Sequence, residues 1–183
     1  MTATSAVRVK NQDGFTLIDM LFVVALIGLL STLAIPGLMR ARGAAQSASA
    51  LGTLRVVNSA QLSFAITCGL GFYSPDFPTL AVKPAGAIDA FLAPELATGP
   101  TFIRSGYNFS MAGTSLAGAP ASCNGLGPGQ AAPGYAVVAD SLAGGTEDRF
   151  FGSNADGVIY EHTASLGGTM PESGAPAAGA PIK

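Results

Sequence analysis

The sequence predicts an α+β protein: a long N-terminal α-helix, membrane-spanning in its first half, packed through its second half on a small antiparallel β-sheet head. Three observations carry this. Residues 20–39 hold twenty consecutive positions without an ionisable side chain, about 30 Å as a helix and enough to cross a hydrocarbon core. Residues 40–67 then turn polar on all but one helical face, with Leu51, Leu54, Val57 or Asn58, Gln61 and Phe64 or Ala65 at helical spacing. Beyond Thr67 the helical signal stops at Cys68, Gly69 and Gly71, and short β-like runs follow.

Composition sets the bounds. The 183 residues are 49% hydrophobic but only 11% charged, against roughly 25% charged in an average soluble domain. Much of the shortfall lies between Asp19 and Arg40, which disfavours an ordinary soluble enzyme. What remains suits one domain of about 100 to 130 residues. The net charge is -2 and the nine Lys and Arg are scattered singly, so no phosphate-binding stripe exists and nucleic acid is not an expected partner. Cys68 and Cys123 have no ligand-spaced His or Cys near them, and one disulfide in an oxidising compartment is expected.

The elements follow in order. Residues 1–14 are polar and aperiodic, carry Arg8 and Lys10, and read as a leader. Residues 15–39 form the apolar helix. A secretory signal peptide is disfavoured, because the basic residues lie several positions upstream and Arg40 and Arg42 follow at once. Asp19 costs roughly 2.5 to 3.5 kcal/mol near the centre of a span and less near its end, where it can also snorkel. Pro36 removes a backbone donor from the helix, although membrane helices tolerate proline. Residues 40–67 continue as an amphipathic helix.

Residues 68–166 are expected to form the head. Up to about Arg104 the chain reads as a connecting region with one short helical turn over 88–93. The runs 107–111, 135–140, 149–151 and 158–162 read as antiparallel strands, with Asp156 and Gly157 turning between the last two. Residues 167–183, GGTMPESGAPAAGAPIK, contain few large apolar side chains and are expected to be a flexible tail.

Known chemistry finds no set. His162 lies in a strand-like run with no nucleophile elbow about it. Asn154 and Asp156 in SNADG offer oxygens to calcium without the twelve-residue acidic pattern, and read better as turn residues. Gly125, Gly127 and Gly129 are interrupted by Pro128 and lack the following Lys-Ser or Lys-Thr of a phosphate loop. No catalytic residue, metal ligand or cofactor is expected.

Gly14, Phe15, Thr16, Leu17, Ile18 and Asp19, leading into residues 20–39 with Gly28 and Pro36, closely resemble the type III signal of type IV pilins and the pseudopilins of type II secretion. The match covers about 25 residues; the general plan of the head is also similar. The resemblance implies that a prepilin peptidase cuts on the cytoplasmic side between Gly14 and Phe15 and methylates the new amine. It implies that the carboxylate of Asp19, where the family usually has Glu, pairs with the Phe15 amine of a neighbouring subunit as the filament assembles. Asp13 stands where the family commonly has a basic residue. Gly28 falls where helices approach closely and Pro36 where the family's helix bends or melts on assembly.

The implied function is that of a structural subunit of a type IV pilus or pilus-like filament, with no enzymatic activity. The implied partners are the peptidase, an inner-membrane assembly platform, membrane lipid before assembly, and copies of itself or other pilins in a helical filament. The protein is then expected to cross the inner membrane once, head outside the cytoplasm, before joining an extracellular fimbrium. A pseudopilin of type II protein secretion, or a minor tip pilin for adhesion or DNA uptake, are the alternatives; a membrane-anchored enzyme explains the span but has no catalytic set. The D-P-W-G-like segment and acidic calcium loop of major pseudopilins are missing, which favours the pilus.

Overall fold

The computed structural model describes residues 14–142 and 149–182; residues 1–13 of the expected leader, with Arg8, Lys10 and Asp13, lie outside them. The chain divides into two compact units, Met1–Gly43 and Ala44–Lys183. Both contribute to helix α1, Leu17–Thr67.

Helix α1 begins two residues after Phe15 because Thr16 caps it. The Asp19 amide donates to Thr16 Oγ1 at 3.3 Å, and the Thr16 amide donates back to Asp19 Oδ2 at 3.1 Å. This is a capping box with Asp in the position usually held by Glu or Gln. The helix runs through Pro36. In the turns before it, the Ser31 and Thr32 hydroxyls donate to the Ile27 and Leu29 carbonyls at 2.8 and 2.7 Å, so neither polar group is left unsatisfied in the apolar segment. The helix ends where Gly69 is required: a Cβ there would lie 2.2 Å from the Phe72 carbonyl and 2.7 Å from the Phe64 ring.

From Ser47 onwards α1 buries Ala50, Leu54, Val57, Ala60, Gln61 and Phe64, the 3-4 spacing of a one-faced helix. That face packs in one cluster with Phe102, Phe109, Val137 and Phe151 of the sheet. The sheet is an antiparallel meander of β1 (Thr101–Arg104), β2 (Tyr107–Ala112), β3 (Ala136–Ser141), β4 (Phe150–Asn154), β5 (Ile159–His162) and β6 (Ala180–Pro181), in that spatial order. The fold class is therefore as the sequence predicts. Ser105 and Gly106, both at positive φ, join β1 to β2 as a two-residue hairpin turn of the kind that matches strand twist. The expected turn at Asp156 and Gly157 forms, with the Gly157 amide donating to the Asn154 carbonyl at 2.9 Å.

Polar side chains fix the helix on the connecting segment and the sheet. Gln61, fully buried, donates to the Ser74 carbonyl at 2.8 Å and accepts from the Ser74 amide at 2.9 Å. Asn58 donates to Ser153 Oγ at 2.8 Å and accepts from the Tyr135 hydroxyl at 3.0 Å. Burial, with a smaller contribution from Tyr73 beside it, pushes the Tyr135 hydroxyl far above the usual tyrosine range, so it remains a donor to Asn58.

Two expectations are corrected. The connecting region is more ordered than its composition suggests: β1 lies within it, and its helical turns fall at Phe77–Leu80 (α2) and Pro94–Leu96 rather than at 88–93. Asp76 caps α2 by accepting from the Thr79 amide at 2.9 Å, and Pro78 and Pro94 stand in the first turns, where proline costs least. The C-terminal stretch is not a free tail. Met170 is buried with Leu166, Val138 and Tyr160 on the sheet face opposite α1, and Ala180–Pro181 pair with β5. Gly152 of β4 makes this possible: a Cβ there would stand 3.1 Å from both Leu166 Cδ1 and Met170 Sδ.

Candidate functional site

The residues of the expected processing and assembly signal are Gly14, Phe15, Asp19, Gly28 and Pro36. All lie in the first half of α1 or just before it, in a stretch where every residue from 14 to 45 is exposed. Phe15, Leu17, Leu29, Leu30, Leu33 and Leu38 are each more than 60% exposed. An apolar helix with no buried face needs a non-aqueous surrounding or partner helices. Helix α1 contains a window long and apolar enough to cross a membrane.

Within the chain, nothing demands glycine at positions 14 and 28. A Cβ built at either meets no atom within 4 Å, and neither has a positive φ. Space at these two positions is not used by the folded chain itself.

Asp19 sits in the first turn. Its Oδ2 receives both the Thr16 amide at 3.1 Å and the Thr16 hydroxyl at 2.5 Å. Asp has the reach for this local contact despite lacking the methylene of Glu. Thr16 is the neighbour that holds Asp19, and its signal in the sequence is the T-x-x-D spacing at the start of an apolar run. The acidic side chain also lies at the helix N-terminus, where the aligned peptide dipoles favour a negative charge.

Cys68 and Cys123 are bonded, with their Cα atoms 4.9 Å apart. The link ties the end of α1 to the loop that precedes β3, and the Cys123 amide donates to the Cys68 carbonyl at 3.3 Å beside it. The signal falls in the unit Met1–Gly43 and the disulfide in the unit Ala44–Lys183.

The residues weighed for chemistry have other uses. His162 Nδ1 accepts from the Ala164 amide at 3.0 Å in an exposed turn. Asn154 Nδ2 donates to the carbonyls of Pro171 and Gly174 at 3.2 and 2.6 Å, and Asp156 Oδ2 accepts from the Gly174 amide at 2.8 Å. The SNADG segment therefore holds the C-terminal residues as well as turning the chain. Among Gly125, Gly127 and Gly129, the Gly127 amide donates to Gln130 Oε1 at 2.7 Å within a plain loop. Among the described residues no three His, Cys, Asp or Glu side chains gather closely enough to hold a metal ion.

One exposed ion pair stands on the sheet, where Arg149 grips Glu161 with two nitrogens. That hydrogen bonding holds the Glu161 carboxyl below its usual range, against a smaller opposing effect of burial. It is an ordinary surface clamp between β5 and the start of β4. No family model, curated protein or solved structure matches the chain.

Proposed function

We propose that this protein is a structural subunit of a type IV pilus or pilus-like filament, made as a precursor and cut between Gly14 and Phe15. The observation that carries the reading is the uniform exposure of residues 14–45 around an apolar helix. Lipid covers such a surface before assembly, and the same surface of neighbouring copies covers it afterwards. Residues 40 and 42 are both Arg and sit at the end of the uncharged run, where long basic side chains reach an interface.

In this reading the peptidase needs Gly14 because a side chain obstructs its approach to the peptide bond, which agrees with the absence of any use for glycine there within the chain. The new N-methylated amine of Phe15 carries a positive charge into a medium where an unpaired charge is expensive. Asp19 of a neighbouring subunit neutralises it. Both Thr16 contacts fall on Oδ2, so the other carboxylate oxygen is the one offered to the amine. An inner-membrane platform extracts the subunit, the head lies outside the cytoplasm, and the disulfide belongs to that oxidising side.

Mass spectrometry of sheared surface filaments tests this directly. The expected species begins at N-methylated Phe15 and is 14 residues shorter than the 183-residue precursor. Intact precursor in cells with an active prepilin peptidase would overturn the assignment. Recovery of the cleaved chain only in a periplasm-spanning secretion assembly, and never in surface filaments, would shift it to a pseudopilin.

A further inference from the structure

We propose that residues 166–182 are a strap that opens and closes as a unit without unfolding of the disulfide-tied core, and that its closure hides the β5 edge and the outer sheet face. The strap crosses the sheet on the side away from α1. Its only buried large side chains are Leu166 and Met170, set against Val138 and Tyr160. From residue 173 to residue 181 nothing is buried.

Apart from Ile182, partly buried against the main core, the rest of its attachment is polar and reaches several elements. Glu172 Oε1 accepts from the Thr114 amide and hydroxyl at 2.7 and 2.6 Å, and the Glu172 carbonyl accepts from the Ala155 amide at 3.2 Å. Asn154 Nδ2 spans the Pro171 and Gly174 carbonyls. The Ile182 amide donates to the Ile159 carbonyl at 2.8 Å. A segment held mainly by exposed or half-exposed hydrogen bonds, with two buried anchors and the partly buried Ile182 against the main core, belongs to the low end of local stability. Helix α1 and strands β2 and β3, which carry Leu54, Phe64, Phe109 and Val137, belong to the high end.

The landing site is shaped for the strap. Besides Gly152, a Cβ at Gly134 would lie 2.8 Å from the Glu172 carbonyl oxygen; within the strap itself, one at Gly179 would lie 3.3 Å from the Glu161 carbonyl oxygen of β5. The closing strand is also suited to ending a sheet. β6 is two residues long and contains Pro181, which has no amide proton to offer a further strand. With the strap open, β5 loses this cap, and the Ile159 and Glu161 backbone groups face solvent.

Hydrogen exchange on the full-length protein in detergent micelles, read by mass spectrometry, tests the proposal. Peptides covering 171–182 should exchange at least about a hundredfold faster than those covering β2 and β3. Glu172→Ala, at a partly exposed position that the core does not use, should raise strap exchange about tenfold and leave β2 and β3 within twofold. Asn154→Ala should act in the same direction and further raise exchange in β5. Equal rates for strap and core in the parent protein would overturn the proposal. So would variants that speed β2 and β3 as much as the strap, or that leave the strap unchanged.

Discussion

The two parts of helix α1 use the same backbone for opposite purposes. Residues 17–43 place leucine, isoleucine, valine and phenylalanine on every side, and all of them are exposed. Residues 47–65 place apolar groups at Ala50, Leu54, Val57, Ala60 and Phe64 and bury that one line against the sheet. Helical propensity does not distinguish the two. The distribution of apolar groups around the axis does: a single stripe finds its partner within the chain, whereas a full jacket has to find it in lipid or in other chains.

The sharpest test of this contrast pairs a truncation in each part. Phe64→Ala removes a fully buried ring that meets Phe91 edge-on at 5.5 Å and should destabilise the head by about 3 to 5 kcal/mol in denaturant unfolding. Leu30→Ala, at a position 64% exposed, should leave head stability within about 0.5 kcal/mol. Equal losses would show that the first part is also packed within the subunit.

Removing the disulfide should cost nearly as much. Cys68 and Cys123 are 55 residues apart in sequence, and the chain-entropy estimate for such a loop is about 4 kcal/mol, an upper value if the unfolded chain is compact. The Cys68→Ser, Cys123→Ser double variant should melt at a lower temperature by circular dichroism, with the loss confined to the sheet-bearing unit.

A smaller effect, read in a different assay, belongs to Asp19. Asp19→Ala should leave cleavage after Gly14 intact and reduce recovered filament by tenfold or more, a difference of about 1.4 kcal/mol per added subunit. Thermal unfolding of the head should not move. Asp19→Glu should retain assembly. If Asp19→Ala assembles like the parent, the carboxylate serves only to cap the helix through Thr16.

The smallest effect lies at the exposed clamp between Arg149 and Glu161. Glu161→Gln should cost less than about 1 kcal/mol at pH 7, because both partners are partly solvated. The sign with pH follows from the lowered carboxyl: the contribution is complete above the ordinary glutamate range near pH 4.3 and disappears as pH falls through the lower folded value. Acid titration of parent and variant should therefore converge below that range.

Much of this architecture is readable from local pattern. Twenty uncharged residues after Asp19, the 3-4 spacing from Leu51 to Phe64, the glycines after Thr67 and the Asp156-Gly157 turn each act over a few neighbours, so composition and spacing suffice to locate them. With two cysteines the pairing has a single solution, and the folded chain adopts it. Thr16 and Asp19 were within reach by the same logic, as a capping pair three residues apart.

The chain's long-range choices were not readable in this way. Thr101–Arg104 is a strand because β2 lies beside it, with Phe102 stacked 4.8 Å from Phe109; its own four residues carry no decisive alternation. The C-terminal residues are poor in apolar groups, and they are ordered by a site assembled from Thr114, Gly134, Gly152, Asn154 and Asp156. No local window contains both the strap and its landing site. The sequence by itself thus determined which surface is apolar and where the helix changes character, because those depend on neighbours within a few turns. Tertiary structure alone decided which strands close the sheet and that the tail binds it, because those depend on groups made adjacent only by folding.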